Sequence, residues 1–163
     1  MKLNFAKLTA LLACLATFAF GADKTIQLNI QEALDGEFGK KLLNKDVSFI
    51  FGSGYNGEVI KGAKFYKITS RFGQTNRKEN LSAKFLGESG IKKQSTEKTV
   101  ARACQYVFVV ALKNAQDLAI SKGYTKVVNI KTYFKFNELD SKDEFICGYN
   151  RVKNVGIEFD LAK

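Results

Sequence analysis

The stretch from Ser95 to Phe136 constrains the fold most, because it holds two different periodicities separated by one glycine. Ser95 can cap a helix, Glu97 sits favourably in its first turn, and Gly123 follows Lys122 as a stop. Between them Val100, Cys104, Phe108, Ala111, Leu112, Ala115, Leu118 and Ala119 recur at helical spacing, while Lys98, Arg102, Lys113, Asn114 and Asp117 fall mostly elsewhere. The pattern predicts one long helix over about 96–122. From Thr125 to Phe136 the period changes to two. Val128, Ile130, Thr132, Phe134 and Phe136 are expected on one face of a strand, and Asn129, Lys131, Tyr133 and Lys135 on the other.

The other segments read as satellites of this unit. Thr25–Ile30 alternates like a short strand, and Ile30–Leu43 predicts one or two short helices interrupted by Gly36 and Gly39. Val47–Phe51 is a compact apolar strand leading into the glycine loop Gly52–Gly57; Glu58–Ile60 and Phe65–Phe72 look like strand pieces. Residues 73–94 are polar and basic. After the central strand, Asn137–Lys142 reads as a polar hairpin loop, Asp143–Tyr149 as a returning strand and Val155–Leu161 as the last one. The expected fold is α+β: a mostly antiparallel sheet, its last three strands a meander, with the long helix packed on one face.

Residues 1–21 carry the marks of a signal peptide. Lys2 and Lys7 precede the apolar run Leu8–Phe20, and Ala19-Phe20-Gly21 has the small-x-small form of a cleavage site. The run is too short for a span of about 20 residues, and its continuation past Cys14 argues against a lipoprotein. Residues 22–163 are then expected to form a single α+β domain in the periplasm, with no transmembrane segment after cleavage. The formal charge of +10, less Lys2 and Lys7, leaves +8 on that domain. Such a cation is drawn to anionic lipid head groups or envelope polymers, and no nucleic acid is expected in that compartment.

Cys104 and Cys147 remain after the signal, and two cysteines in an exported chain suggest one disulfide. Geometry supports the pairing. Cys104 stands about 27 Å before the end of the helix, a height the following strand regains after about 8 residues, near Tyr133. A turn centred between Leu139 and Asp140 would bring Ile146 opposite Tyr133, so that Cys147 arrives level with Cys104.

Motifs for chemistry are weak. The Gly52–Gly57 loop lacks the Lys-Ser/Thr of a phosphate-binding loop, and Glu58 would repel phosphate. Histidine is absent, which removes the commonest general base. Ser89-Gly90-Ile91-Lys92 and Ser95-Thr96-Glu97-Lys98 match S-x-x-K without its companion motifs. No catalytic residue, metal site or cofactor is therefore expected. Two features keep functional interest. The carboxylates Glu138, Asp140, Asp143 and Glu144 could serve a small envelope-polymer hydrolase, or simply end a solvated hairpin. The segment 71–98 holds seven cations against Glu79, Glu88 and Glu97, and Arg71, Arg77, Lys78, Lys92 and Lys93 could form an anionic-ligand surface.

Ile26–Leu34, Phe49-Ile50-Phe51-Gly52-Ser53-Gly54, Lys126–Ile130 with Tyr133-Phe134-Lys135, Ser141–Gly148 and Asp160-Leu161-Ala162-Lys163 together resemble a family of small exported Gram-negative proteins often labelled "excinuclease ATPase subunit". An excinuclease ATPase needs nucleotide-binding motifs and a cytoplasmic address, and this sequence offers neither. More distantly, Cys104–Ile130 is similar to the helix–strand unit of YbjQ-like domains and of the Rcs stress-sensor lipoprotein. That resemblance implies an envelope-facing interaction domain with an internal disulfide, although the sensor's lipid anchor and additional cysteines are missing. The expected function is a non-enzymatic binding domain whose partner is an envelope protein or an anionic envelope component.

Overall fold

The computed structural model describes residues 24–59, 66–72, 97–149 and 152–163. The expected signal and the expected Ser95 cap lie outside them. The chain is α+β. In order it forms β1 (Lys24–Asn29), α1 (Ile30–Asp35), α2 (Glu37–Leu42), β2 (Ser48–Phe51), β3 (Tyr66–Phe72), α3 (Glu97–Ser121), β4 (Lys126–Phe134), β5 (Asn137–Leu139), β6 (Glu144–Tyr149) and β7 (Lys153–Ala162). The seven strands make one mixed sheet with the path β1-β6-β7-β4-β2; β3 pairs with β7 and β5 with β4. Only β2 and β4 run parallel among the described pairs.

The long helix α3 forms where the periodicity places it. Val100, Cys104, Phe108, Ala111, Leu112, Ala115 and Ala119 are all buried, and Leu118 packs against them partly buried. Its end is closed by Gly123 at φ 74, a conformation that costs glycine little. Tyr124 N–H donates to the Ala119 carbonyl at 2.9 Å and Gly123 N–H to Ile120 at 3.0 Å, the two bonds of a Schellman stop. At the other end of the chain Asn29 caps α1, its side-chain oxygen accepting from Glu32 N–H at 2.9 Å. Gly36 separates α1 from α2, whereas Gly39 lies inside α2.

Beneath α3 the core is aromatic and cross-linked. Phe108 and Phe145 stack with centroids 4.0 Å apart and planes 4° apart, and Phe51 leans on Phe108 at 6.1 Å. One helical turn before Phe108, and two residues after Phe145, Cys104 and Cys147 form the disulfide, with 5.9 Å between their Cα atoms. Spacing of four on the helix matches spacing of two on the strand here, so stack and bridge are adjacent rungs between the same two elements. Both cysteines are fully buried.

Strand β4 departs from strict alternation. Asn129 adopts φ 51, and the pairing with β7 shifts between Val128 and Lys131, the mark of a bulge. A one-residue slip exchanges the faces. Val127 and Ile130 both enter the core under α3, and Tyr133, expected on the polar face, is largely buried. The expected turn is also displaced. β4 turns at Lys135-Phe136, so Asn137–Leu139 is strand rather than loop, and Phe136 is fully exposed instead of facing the core. After β5 the chain crosses to β6, which runs antiparallel to β7 and hence in the same direction as β4. The level is nevertheless the expected one, because Ile146 N–H donates to Thr132 Oγ1 at 3.0 Å.

Two glycines let aromatic rings lie on the sheet. A Cβ on Gly156 would stand 2.2 Å from the Tyr133 ring, and one on Gly148 would stand 2.1 Å from the Phe134 ring. Tyr133 thereby crosses β7, and its hydroxyl lies 3.3 Å from Thr69 Oγ1 on β3.

Candidate functional site

Polar side chains converge where β2 ends and β5 begins its exit. Both occupy the same edge of β4: Phe51 pairs with Ile130, and Leu139 with Thr132. The Gly52–Gly57 loop leaving β2 therefore meets Asp140, the residue after β5. Ser53 donates twice to it, from its N–H to Oδ1 at 2.7 Å and from Oγ to Oδ2. Lys131 Nζ donates to Glu138 Oε1 at 2.9 Å and stands 3.7 Å from Asp140 Oδ2. Beside them the Asn129 side chain accepts from Tyr55 N–H at 3.0 Å and donates to Asp160 at 2.9 Å. The bulge is thus built into the site, since its left-handed residue ties the glycine loop to β7.

Electrostatics sets what this cluster can do. The hydrogen bond to Glu138, aided by the charges of Glu138, Asp140 and Glu158, raises the Lys131 pKa above the ordinary lysine value. An ammonium held in this way neither abstracts a proton nor attacks as a free amine. The Ser53 hydroxyl and N–H hold the Asp140 carboxyl below its usual range. A carboxylate so stabilised is a poor general acid and a weak base, so Asp140 orients Ser53 without activating it. The arrangement is a polar latch that fixes the loop.

The other sequence-derived sites fall as follows. Cys104 and Cys147 are joined in the core. Of the hairpin carboxylates, Glu138 and Asp140 are brought together by Lys131. Asp143 and Glu144 are exposed, and their N–H groups donate to Ser141 Oγ at 3.2 and 3.1 Å. Of the basic surface, Arg77, Lys78, Lys92 and Lys93 lie outside the described residues, and Arg71 is placed by its backbone alone, opposite Asn154. Among the described residues no group of three or more Cys, Asp or Glu could hold a metal ion, and no helix is long and apolar enough to cross a membrane.

Sequence reasoning missed the Ser53–Asp140–Lys131 latch. Its residues are 87 and 9 positions apart along the chain, and the only local hint is a Gly-Ser-Gly turn after an apolar strand. It also missed Gln116, which is fully buried on α3. The Gln116 amide accepts from Asn44 N–H at 2.9 Å and donates to the Asn44 carbonyl at 2.7 Å, clamping the chain between α2 and β2. Comparison with protein-family models, with curated proteins and with solved structures finds no match to this chain.

Proposed function

We propose that this chain is an exported, non-enzymatic binding domain of the Gram-negative cell envelope, working in the periplasm on an envelope protein or an anionic envelope component. The observation that carries the reading is the buried Cys104–Cys147 bridge, because disulfides of this kind form and persist in oxidising compartments. The signal-like pattern of residues 1–21 and the resemblance to small exported proteins agree with it. The latch around Lys131 also supports a binding role over a hydrolytic one, since its carboxylates are bound to a serine and an ammonium.

Intact mass of the protein recovered from a periplasmic fraction, with and without reduction before alkylation, tests the reading. Cleavage near Ala22, with two thiols appearing only after reduction, is the expected result. Two thiols that alkylate without reduction, or an uncleaved amino terminus, would overturn it.

A further inference from the structure

Among the described residues three large apolar side chains are exposed: Ile120, Phe136 and Val152. Phe136 and Val152 share one end of the sheet. Phe136 is the second residue of the β4–β5 turn, at 102% relative exposure, and Val152 immediately precedes β7 in the β6–β7 turn. The two turns are neighbours, because the Phe134 ring lies on Gly148 and Tyr149 pairs with Lys153. Three ammonium-bearing residues are placed at the same end: Lys135 in the first turn, Lys153 at the start of β7, and Lys24, which pairs with Tyr149. Ile120 lies in the last turn of α3, at the opposite end, where β4 begins.

The β4–β5 turn opposes its own stability. Two-residue hairpin turns favour Asn, Asp or Gly, yet here Lys135 holds φ 56 and a whole phenyl ring stands in water. An aromatic apex flanked by long cations is suited to a membrane interface. There the ring enters the headgroup–acyl boundary, and the ammonium groups stay with the phosphates on flexible stems.

We propose that this end of the sheet docks on an anionic lipid bilayer, with Phe136 inserted and Lys24, Lys135 and Lys153 against lipid phosphates. The charge of +8 on residues 22–163, which is +10 less Lys2 and Lys7, favours that occupant over a second copy of the chain, which it repels. Among the described residues the exposed apolar surface at this end is the Phe136 ring with part of Val152, little area for a stable protein interface but enough to enter a lipid surface. The proposal rests on the envelope reading only for where such a bilayer is met.

The chain contains no tryptophan, so Phe136→Trp gives a reporter at the apex and Ile120→Trp one at the far end. Each variant, as recovered from the periplasmic fraction, is titrated with vesicles of phosphatidylcholine containing about one-third phosphatidylglycerol, and with phosphatidylcholine alone. Emission of Phe136→Trp is expected to shift to the blue with the anionic vesicles only, less so at high salt, while Ile120→Trp stays unshifted. Phe136→Ser should weaken vesicle co-sedimentation about tenfold. An unshifted Phe136→Trp, an equal shift at position 120, or co-sedimentation indifferent to Phe136→Ser would each overturn the proposal. Binding to a soluble polyanion such as heparin with Phe136→Trp unshifted would also overturn it, yet leave the envelope-binding reading standing, which the intact mass decides separately.

Discussion

Loss of the Cys104–Cys147 bridge should be the most damaging small change to this domain. The bridge joins residues separated by 43 positions. In the chain-entropy account, closing a loop of that length removes about 13 cal/mol/K from the unfolded ensemble, or about 4 kcal/mol at 25 °C. Against the 5–15 kcal/mol typical of a domain, that is between a quarter and most of the stability. With an unfolding entropy of about 2.1 cal/mol/K per residue over roughly 140 residues, the same loss lowers Tm by about 13 °C. The assay is urea unfolding followed by circular dichroism, on oxidised protein, on protein reduced while unfolded and then refolded, and on Cys104→Ala/Cys147→Ala. Reduced protein keeps both sulfur atoms beside the Phe108–Phe145 stack, so it isolates the cross-link; the alanine pair adds the lost packing and should be weaker still. The slope m should rise on reduction, because an unbridged unfolded chain exposes more surface. A difference below about 1 kcal/mol between oxidised and reduced protein, with the fold retained in both, would refute the reasoning.

Other perturbations separate the latch, the clamp and the sheet packing. Asp140→Asn should cost about 1–2 kcal/mol by weakening the bonds from Ser53, and local loosening should appear as faster amide exchange at Ser53. The folded-state pKa of Asp140 is depressed, so its contribution is present above the unfolded carboxyl pKa and lost as pH falls through the folded one. The acid limb of a stability–pH curve, below about pH 4, should flatten in Asp140→Asn. Gln116→Leu removes both bonds to the backbone of Asn44, which is exposed enough for water to replace them, and should cost about 1–3 kcal/mol in chemical denaturation. Gly156→Ala drives a methyl into the Tyr133 ring and should cost about 1–3 kcal/mol, part of which Tyr133→Ala should restore in a double-mutant cycle. Lys135→Gly should stabilise by about 1 kcal/mol in thermal unfolding, by relieving the left-handed turn residue.

The helix was legible in the sequence because acidic first turn, apolar stripe and glycine stop all agree along one continuous segment. The disulfide was legible for a looser reason. Helix rise and strand rise fix the level of Cys147 to within a residue, and the pairing holds although the chain reaches β6 by a different route. The faces of β4 were not legible. A single bulge at Asn129 reverses an alternation that reads cleanly on either side of it, and an asparagine is tolerated in the left-handed region without announcing it. The turn was misplaced because Asn137–Lys142 has turn-like residues and Lys135-Phe136 has almost none. The latch lay beyond reach, since Ser53 and Asp140 meet only once β2 and β5 share an edge of β4.

Among the described residues two non-glycine residues have positive φ, Asn129 within β4 and Lys135 in the turn that follows it, and they differ in what offsets them. At Asn129 the side chain accepts from Tyr55 and donates to Asp160, so the backbone conformation is fixed by bonds that also anchor the glycine loop. That outlier is explained inside the fold. At the second, the next residue is Phe136, whose ring touches so little of the chain that its exposure is complete. Burying a phenyl ring is worth about 2–3 kcal/mol, and a polar turn residue would avoid forgoing it. The Lys135 ammonium lies 5.8 Å from the centroid of the Phe134 ring, so the first turn residue keeps a contact inside the fold, whereas the Phe136 ring beside it is left to solvent. Asn129 is thus held by bonds within the fold, while the β4–β5 apex leaves its phenyl ring in water, the feature that the proposed lipid docking would use.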